Sequence, residues 1–142
     1  AYLVRDKFSN SYVLESDLYL YNQDLIRKYE YHSNFLGFKV DRTDDWCLET
    51  KNGIITKEKV GGLDCYQMCG ISYYDKETGK QMEKDIKEVF MSPGGKERYL
   101  EQVMLDIRKN NYKIYLRECK SEDIIEIDTF NELKAIDKTY DG

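Results

Sequence analysis

Asn52-Gly53 is the most restrictive dipeptide in the chain, because both residues take positive φ readily and together close a two-residue hairpin. Trp46-Cys47-Leu48-Glu49-Thr50 precedes the turn and Ile54-Ile55-Thr56-Lys57 follows it, so an antiparallel ribbon is expected there. Residues 35–40 form a further short strand candidate. Residues 66–74 form the longest one, expected at the sheet centre after a break at Gly61-Gly62.

Around this ribbon the period changes. Met82, Ile86, Val89 and Phe90 recur at helical spacing, and Ser92-Pro93-Gly94-Gly95 stops that helix. The same Gly-rich segment is only faintly like a phosphate-cradling loop, since it follows a helix and lacks the required spacing. Tyr99, Leu100, Val103, Met104 and Ile107 predict a second helix ending near Asn110-Asn111. Strands are expected at 11–15, 112–116 and 124–127, and a short helix or strand at 25–29. Thr129-Phe130-Asn131-Glu132 has the form of a capping box for a last helix through Leu133 and Ile136. Strands interleaved with helices predict an α/β fold carrying an inserted antiparallel ribbon.

Composition narrows the function. With 142 residues, 41% apolar and 35% charged, the chain is expected to fold as one globular domain. A net charge of −5 argues against nucleic acid as the main partner, since phosphate backbones are bound by concentrated Lys and Arg. No stretch approaches the roughly 20 apolar residues of a membrane span. The start has neither a basic leader nor a cleavage site, so a cytoplasmic location is expected. Cys47, Cys65, Cys69 and Cys119 lack the close pairing of a zinc site and read as reduced core residues. His32 is the single histidine, which leaves little room for His-based metal or nucleophile chemistry.

Three constellations remain. Glu15-Ser16-Asp17 and Glu126-Ile127-Asp128 both stand where a strand runs out, and carboxylates at neighbouring strand ends can share one divalent ion. Each Asp also has a plain structural reading as a turn or helix-start residue. Asp44-Asp45-Trp46-Cys47-Leu48-Glu49 places the one tryptophan among carboxylates. Such company suits a quaternary ammonium ion, which is recognised by aromatic faces and negative charge. A tryptophan in a strand is also an ordinary core residue.

Asn10-Ser11-Tyr12-Val13-Leu14-Glu15-Ser16-Asp17-Leu18-Tyr19-Leu20 resembles the central signature of bacterial choline-phosphate cytidylyltransferases of the Lic type. Asp45-Trp46-Cys47-Leu48, Gly70-Ile71-Ser72-Tyr73-Tyr74-Asp75, Arg98-Tyr99-Leu100-Glu101 and Ile125-Glu126-Ile127-Asp128 resemble further stretches of that family in the same order. The resemblance implies a Rossmann-like mixed sheet of the nucleotide-diphospho-sugar transferase type with helices on both faces. It also implies Asp17 and Asp128 as catalytic Mg²⁺ ligands, Trp46 facing the choline, and Tyr74 and Glu126 as its neighbours. The implied reaction joins CTP and phosphocholine into CDP-choline and pyrophosphate.

Such enzymes open with a Gly-rich, Arg-bearing loop and a Lys-Pro segment that hold the nucleotide, and residues 1–142 contain neither. The expectation is therefore a carboxy-terminal portion of one nucleotidyltransferase domain, incomplete at the amino terminus and inactive alone. Ile125 stands where some relatives carry an aromatic residue, which would leave one side of a choline cage open. Two other readings stay open, a sugar-1-phosphate nucleotidyltransferase and a non-catalytic choline-binding module.

Overall fold

The computed structural model describes residues 1–141. A four-stranded mixed sheet runs in the order β1-β4-β3-β5, with β1 Ser11–Leu14, β3 Asn34–Lys51, β4 Ile54–Tyr74 and β5 Tyr115–Glu118. β1 and β3 are antiparallel to β4, and β5 is parallel to β3. A separate antiparallel ribbon joins β2 Leu18–Leu20 to β6 Ile124–Glu126. The expected α/β class and mixed sheet are present.

The Asn52-Gly53 turn forms as expected, with φ of 53° and 76°. The two strands it joins are longer than the sequence pattern predicts. The candidates at 35–40 and 46–50 merge into β3, and those at 54–57 and 66–74 merge into β4. Gly61 and Asp64 take positive φ and keep the chain in the ladder, so Gly61-Gly62 bends β4 instead of ending it. Cys47 faces both Lys59 and Gln67, and Leu48 faces both Glu58 and Tyr66. The outer half of the hairpin therefore folds back over the inner half.

Helix α1, Lys76–Met91, starts at Asp75, whose side chain accepts the Thr78 N–H at 2.8 Å. Met82, Ile86 and Val89 face the sheet and pack with Phe8, Phe35, Leu48, Tyr74, Val103, Met104 and Ile114. Alternation along the strands sends Leu36, Cys69 and Ile71 to the other face, where they meet Leu25 and Cys119. That face is covered by Leu18, Leu20 and Ile124 of the small ribbon together with Tyr12 and Phe38. The helix expected there by resemblance is absent from it among the described residues.

The second predicted helix is broken. α2 is only Leu100–Gln102, and a π turn over Val103–Ile107 follows it. The wide turn keeps Val103, Met104 and Leu105 buried in sequence, which a regular helix presenting one stripe does not do. The strand predicted from 112 begins at Tyr115. Helix α3, Phe130–Ile136, carries the expected capping box: Glu132 N–H donates to Thr129 Oγ1 at 3.2 Å, and Glu132 Oε2 accepts the Thr129 N–H at 2.8 Å. Among the described residues, no helix is long and apolar enough to cross a membrane.

Candidate functional site

The acidic strand end and the ribbon converge because of two backbone contacts. Beyond β1, the Glu15 N–H donates to the Gly70 carbonyl at 3.0 Å, which ties the chain to β4 for one more residue. After the turn at Ser16-Asp17, Leu18 pairs with Glu126, and the Ile127 N–H donates to the Asp17 carbonyl at 2.7 Å. The end of the β2–β6 ribbon is thus pinned beside the end of β1. Carboxylate oxygens of Glu15, Asp17 and Glu126 all come within 4.8 Å of one another.

These acids form one end of a cavity of about 440 Å³ lined by Glu15, Asp17, Asp45, Trp46, Glu101, Glu126 and their neighbours Met68, Gly70 and Tyr99. Five of the lining residues are carboxylates, and no Lys or Arg lines it among the described residues. Partial burial, followed by the charge of Asp17, holds the Glu15 carboxyl above the usual range. Partial burial, followed by Asp128 and Asp17, does the same to Glu126. Burial also raises Glu101. A site that makes its own carboxylates reluctant to ionise favours a cation that relieves them.

The lining also holds two aromatic rings. Trp46 and Tyr99 meet edge to face, with centroids 6.3 Å apart and planes at 78°. Trp46 sits at a register shift in β3, where the Thr43 hydroxyl accepts the Asp45 N–H at 3.1 Å and Asp45 Oδ1 accepts the Trp46 N–H at 2.7 Å. Trp46 remains paired with Val60 in the ladder, and its side chain is half-buried. Tyr99 comes from the amino end of α2, where its N–H donates to Gln102 Oε1 at 2.9 Å.

The sequence-predicted residues divide into two groups. Asp17, Trp46 and Glu126 lie together on the cavity. Asp128 is exposed and is not among the lining residues; its N–H donates to Glu132 Oε2 at 2.9 Å, and its charge acts on Glu126. Tyr74 corrects the expectation of a wall residue. It is 0% exposed, edge-on to both Phe8 and Phe35 in the main core, because its position in β4 points toward α1. Tyr99, 62% exposed, supplies the second ring instead.

Glu15, Asp45, Tyr99 and Glu101 have no role of their own in the sequence reading. The available signal is their place inside the quoted motifs. Glu15 stands two residues before Asp17, and Tyr99 and Glu101 both fall in Arg98-Tyr99-Leu100-Glu101.

The donor set fits a hard divalent cation. Asp17 Oδ1 is buried without a hydrogen-bond partner, and the groups around it are carboxylate oxygens, the ligands that Mg²⁺ prefers.

No family model matches the chain. It is 24% identical over 142 residues to a choline-phosphate cytidylyltransferase from Streptococcus pneumoniae, covering 96% of this chain and 60% of that protein. It is 27% identical over 136 residues to a 2-aminoethylphosphonate cytidylyltransferase from Lancefieldella rimae, covering 92% of this chain and 53% of that protein. The solved structure of the CTP:phosphocholine cytidylyltransferase from Streptococcus pneumoniae superposes with a TM-score of 0.77 at 21% identity, covering 97% of this chain and 60% of that one. The chain therefore spans between half and two thirds of the length of these relatives.

Proposed function

Because the chain is homologous to the Lic-type choline-phosphate cytidylyltransferases, we propose that it forms the acceptor and metal side of a nucleotidyltransferase that joins CTP and phosphocholine into CDP-choline and pyrophosphate. The observation that carries this reading is the right-angled pair Trp46 and Tyr99 facing a cavity whose polar lining is wholly carboxylate at its charged positions. Two rings and several acids recognise a cation that cannot donate ordinary hydrogen bonds. The relative from Lancefieldella rimae is named for 2-aminoethylphosphonate, which, like phosphocholine, has a cationic nitrogen at one end and phosphorus at the other.

In this reading the phosphate oxygen of phosphocholine attacks the α-phosphorus of CTP, a new P–O bond forms, and pyrophosphate leaves with the electrons of the broken bond. The chain's residues supply position and electrostatics. Trp46 and Tyr99 hold the trimethylammonium, and Asp45 and Glu101 balance its charge. Asp17 and Asp128, with Glu126 beside Asp17 on the cavity, would hold Mg²⁺. Mg²⁺ held there would supply charge neutralisation and alignment of the phosphates. An acceptor phosphate is already ionised, so no side chain has to remove a proton from it. Such an enzyme works where CTP is made, in the cytoplasm.

A sugar-1-phosphate acceptor is the other reading within this fold. Hydroxyl-rich rings call for Asn, Gln or Glu, and Glu15, Glu101 and Glu126 do line the cavity, so it is the aromatic pair Trp46 and Tyr99 that favours phosphocholine. Calorimetric titration of this chain with phosphocholine, 2-aminoethylphosphonate and glucose 1-phosphate, each with and without Mg²⁺, tests the proposal. Binding of phosphocholine alone or best supports it, and preference for the sugar phosphate overturns it. Binding of phosphocholine by an enzyme form that never turns over CTP would leave a choline-binding module.

A further inference from the structure

Gly70 lies in β4 with φ +69°, in the region where side chains are strained. A Cβ built there would stand 2.6 Å from Glu15 Oε2, 2.9 Å from Glu15 Cδ and 3.1 Å from Leu18 Cδ1. The volume a side chain would fill is thus the volume the Glu15 carboxylate occupies. The same glycine accepts the Glu15 N–H through its carbonyl at 3.0 Å, so it fixes the backbone and leaves room for the side chain at once. Glu15 lies within 4.8 Å of both Asp17 and Glu126, and Asp17 Oδ1 is buried with no partner.

We infer that Glu15 is a further oxygen ligand of the divalent cation held at Asp17, and that Gly70 is the positioning residue that keeps its carboxylate there. The inference rests on the proposed metal role of Asp17, and it adds two residues that neither strand-end spacing nor that proposal requires. A merely structural glycine would need only the turn conformation. Here the tightest contacts of the missing Cβ are with a carboxylate that closes the acidic group, not with core atoms.

The test is Mn²⁺ binding by the 142-residue chain, followed by electron paramagnetic resonance as a stand-in for Mg²⁺. Five proteins are compared: the parent, Asp17→Asn, Glu15→Gln, Gly70→Ala and the Glu15→Gln/Gly70→Ala double variant. Glu15→Gln and Gly70→Ala are each expected to weaken Mn²⁺ about tenfold, the scale of lost support to a metal ligand. The double variant is expected to bind no worse than the weaker single variant, because both changes remove one interaction. Parent-like affinity in Glu15→Gln, alongside loss in Asp17→Asn, overturns the inference and leaves Asp17 as a metal residue. Additive losses in the double variant overturn the role of Gly70. Equal affinity in the parent and Asp17→Asn sinks the metal proposal itself, and this inference with it. Glu15 is exposed, so Glu15→Gln decides the matter even if Gly70→Ala does not fold.

Discussion

Trp46 of β3 and Tyr99 at the start of α2 are 53 positions apart in the chain and meet with ring centroids 6.3 Å apart, their planes at 78°. Neither ring is buried in the main core, and both border the carboxylate-lined cavity. An edge-to-face pair leaves one full ring face open, the surface that attracts a cation. Replacing Trp46 with Ala is expected to weaken phosphocholine binding about 2- to 30-fold, the equivalent of roughly 0.5–2 kcal/mol. Tyr99→Ala should fall in the same range, and CTP binding by an enzyme containing this chain should change far less. Calorimetry with the two ligands checks this, and equal losses for both would count against an aromatic cation site.

The contribution of Glu58 to stability is expected to be pH-dependent. Its carboxyl is pushed up to about 7 by burial and then by Glu101 and Asp106, and Glu58 Oε2 has no partner. The folded value exceeds the ordinary 4.5, so the folded chain holds a proton that the unfolded chain has already lost. Stability therefore falls as pH rises from 4.5 to about 7 and stays low above that. The carboxyl is partly solvated, so the loss is on the order of 1–2 kcal/mol. Urea unfolding at pH 5 and pH 8 should show a smaller drop in Glu58→Gln than in the parent. An unchanged drop would mean that Glu58 ionises freely.

Much of this arrangement is legible in the sequence, and the reason differs by element. Local chemistry sufficed where a few adjacent residues decide the outcome. The Asn52-Gly53 turn needs two positive φ values, and the Thr129-Glu132 box closes within one helical turn. Local chemistry is insufficient where distant segments decide. β3 and β4 run through positions that read as breaks because each strand is held by pairing with the other. The π turn at Val103–Ile107 is set by what Val103, Met104 and Leu105 must bury, which no spacing rule contains. At the site, Asp17, Trp46 and Glu126 were visible as unusual local company. Tyr99 and Glu15 join them only through β4 and α2, and Tyr74 departs because strand alternation turns it toward the helix.

Gly79 offers a test of packing against propensity. In an exposed helix, Gly→Ala stabilises by about 1 kcal/mol. In α1, a Cβ on Gly79 would lie 2.4 Å from both the Cα and the N of Ser9, whose hydroxyl donates to the Lys76 carbonyl at 3.1 Å. Backbone atoms cannot swing aside as a side chain can. Gly79→Ala is therefore expected to destabilise by about 1–3 kcal/mol, the cost of overpacking. The stacking of Tyr2 on Phe90, at 4.1 Å, belongs to the same amino-terminal segment and should loosen with it. A thermal melt with tyrosine fluorescence reads both effects, and a stabilised variant would show that the approach is looser than the backbone indicates.

Tyr74 separates a core residue from a wall residue. Its hydroxyl is buried without a hydrogen-bond partner, and burial holds it well above the ordinary tyrosine range. Removing an unpaired buried hydroxyl relieves a desolvation cost of about 1–3 kcal/mol and leaves the ring contacts with Phe8 and Phe35 in place. Tyr74→Phe should therefore be as stable as the parent or more so in urea unfolding. Its phosphocholine affinity should stay within about twofold, because the ring never borders the cavity. A tenfold loss of phosphocholine binding without loss of stability would return Tyr74 to the choline wall and require β4 to turn that side chain outward when ligand binds.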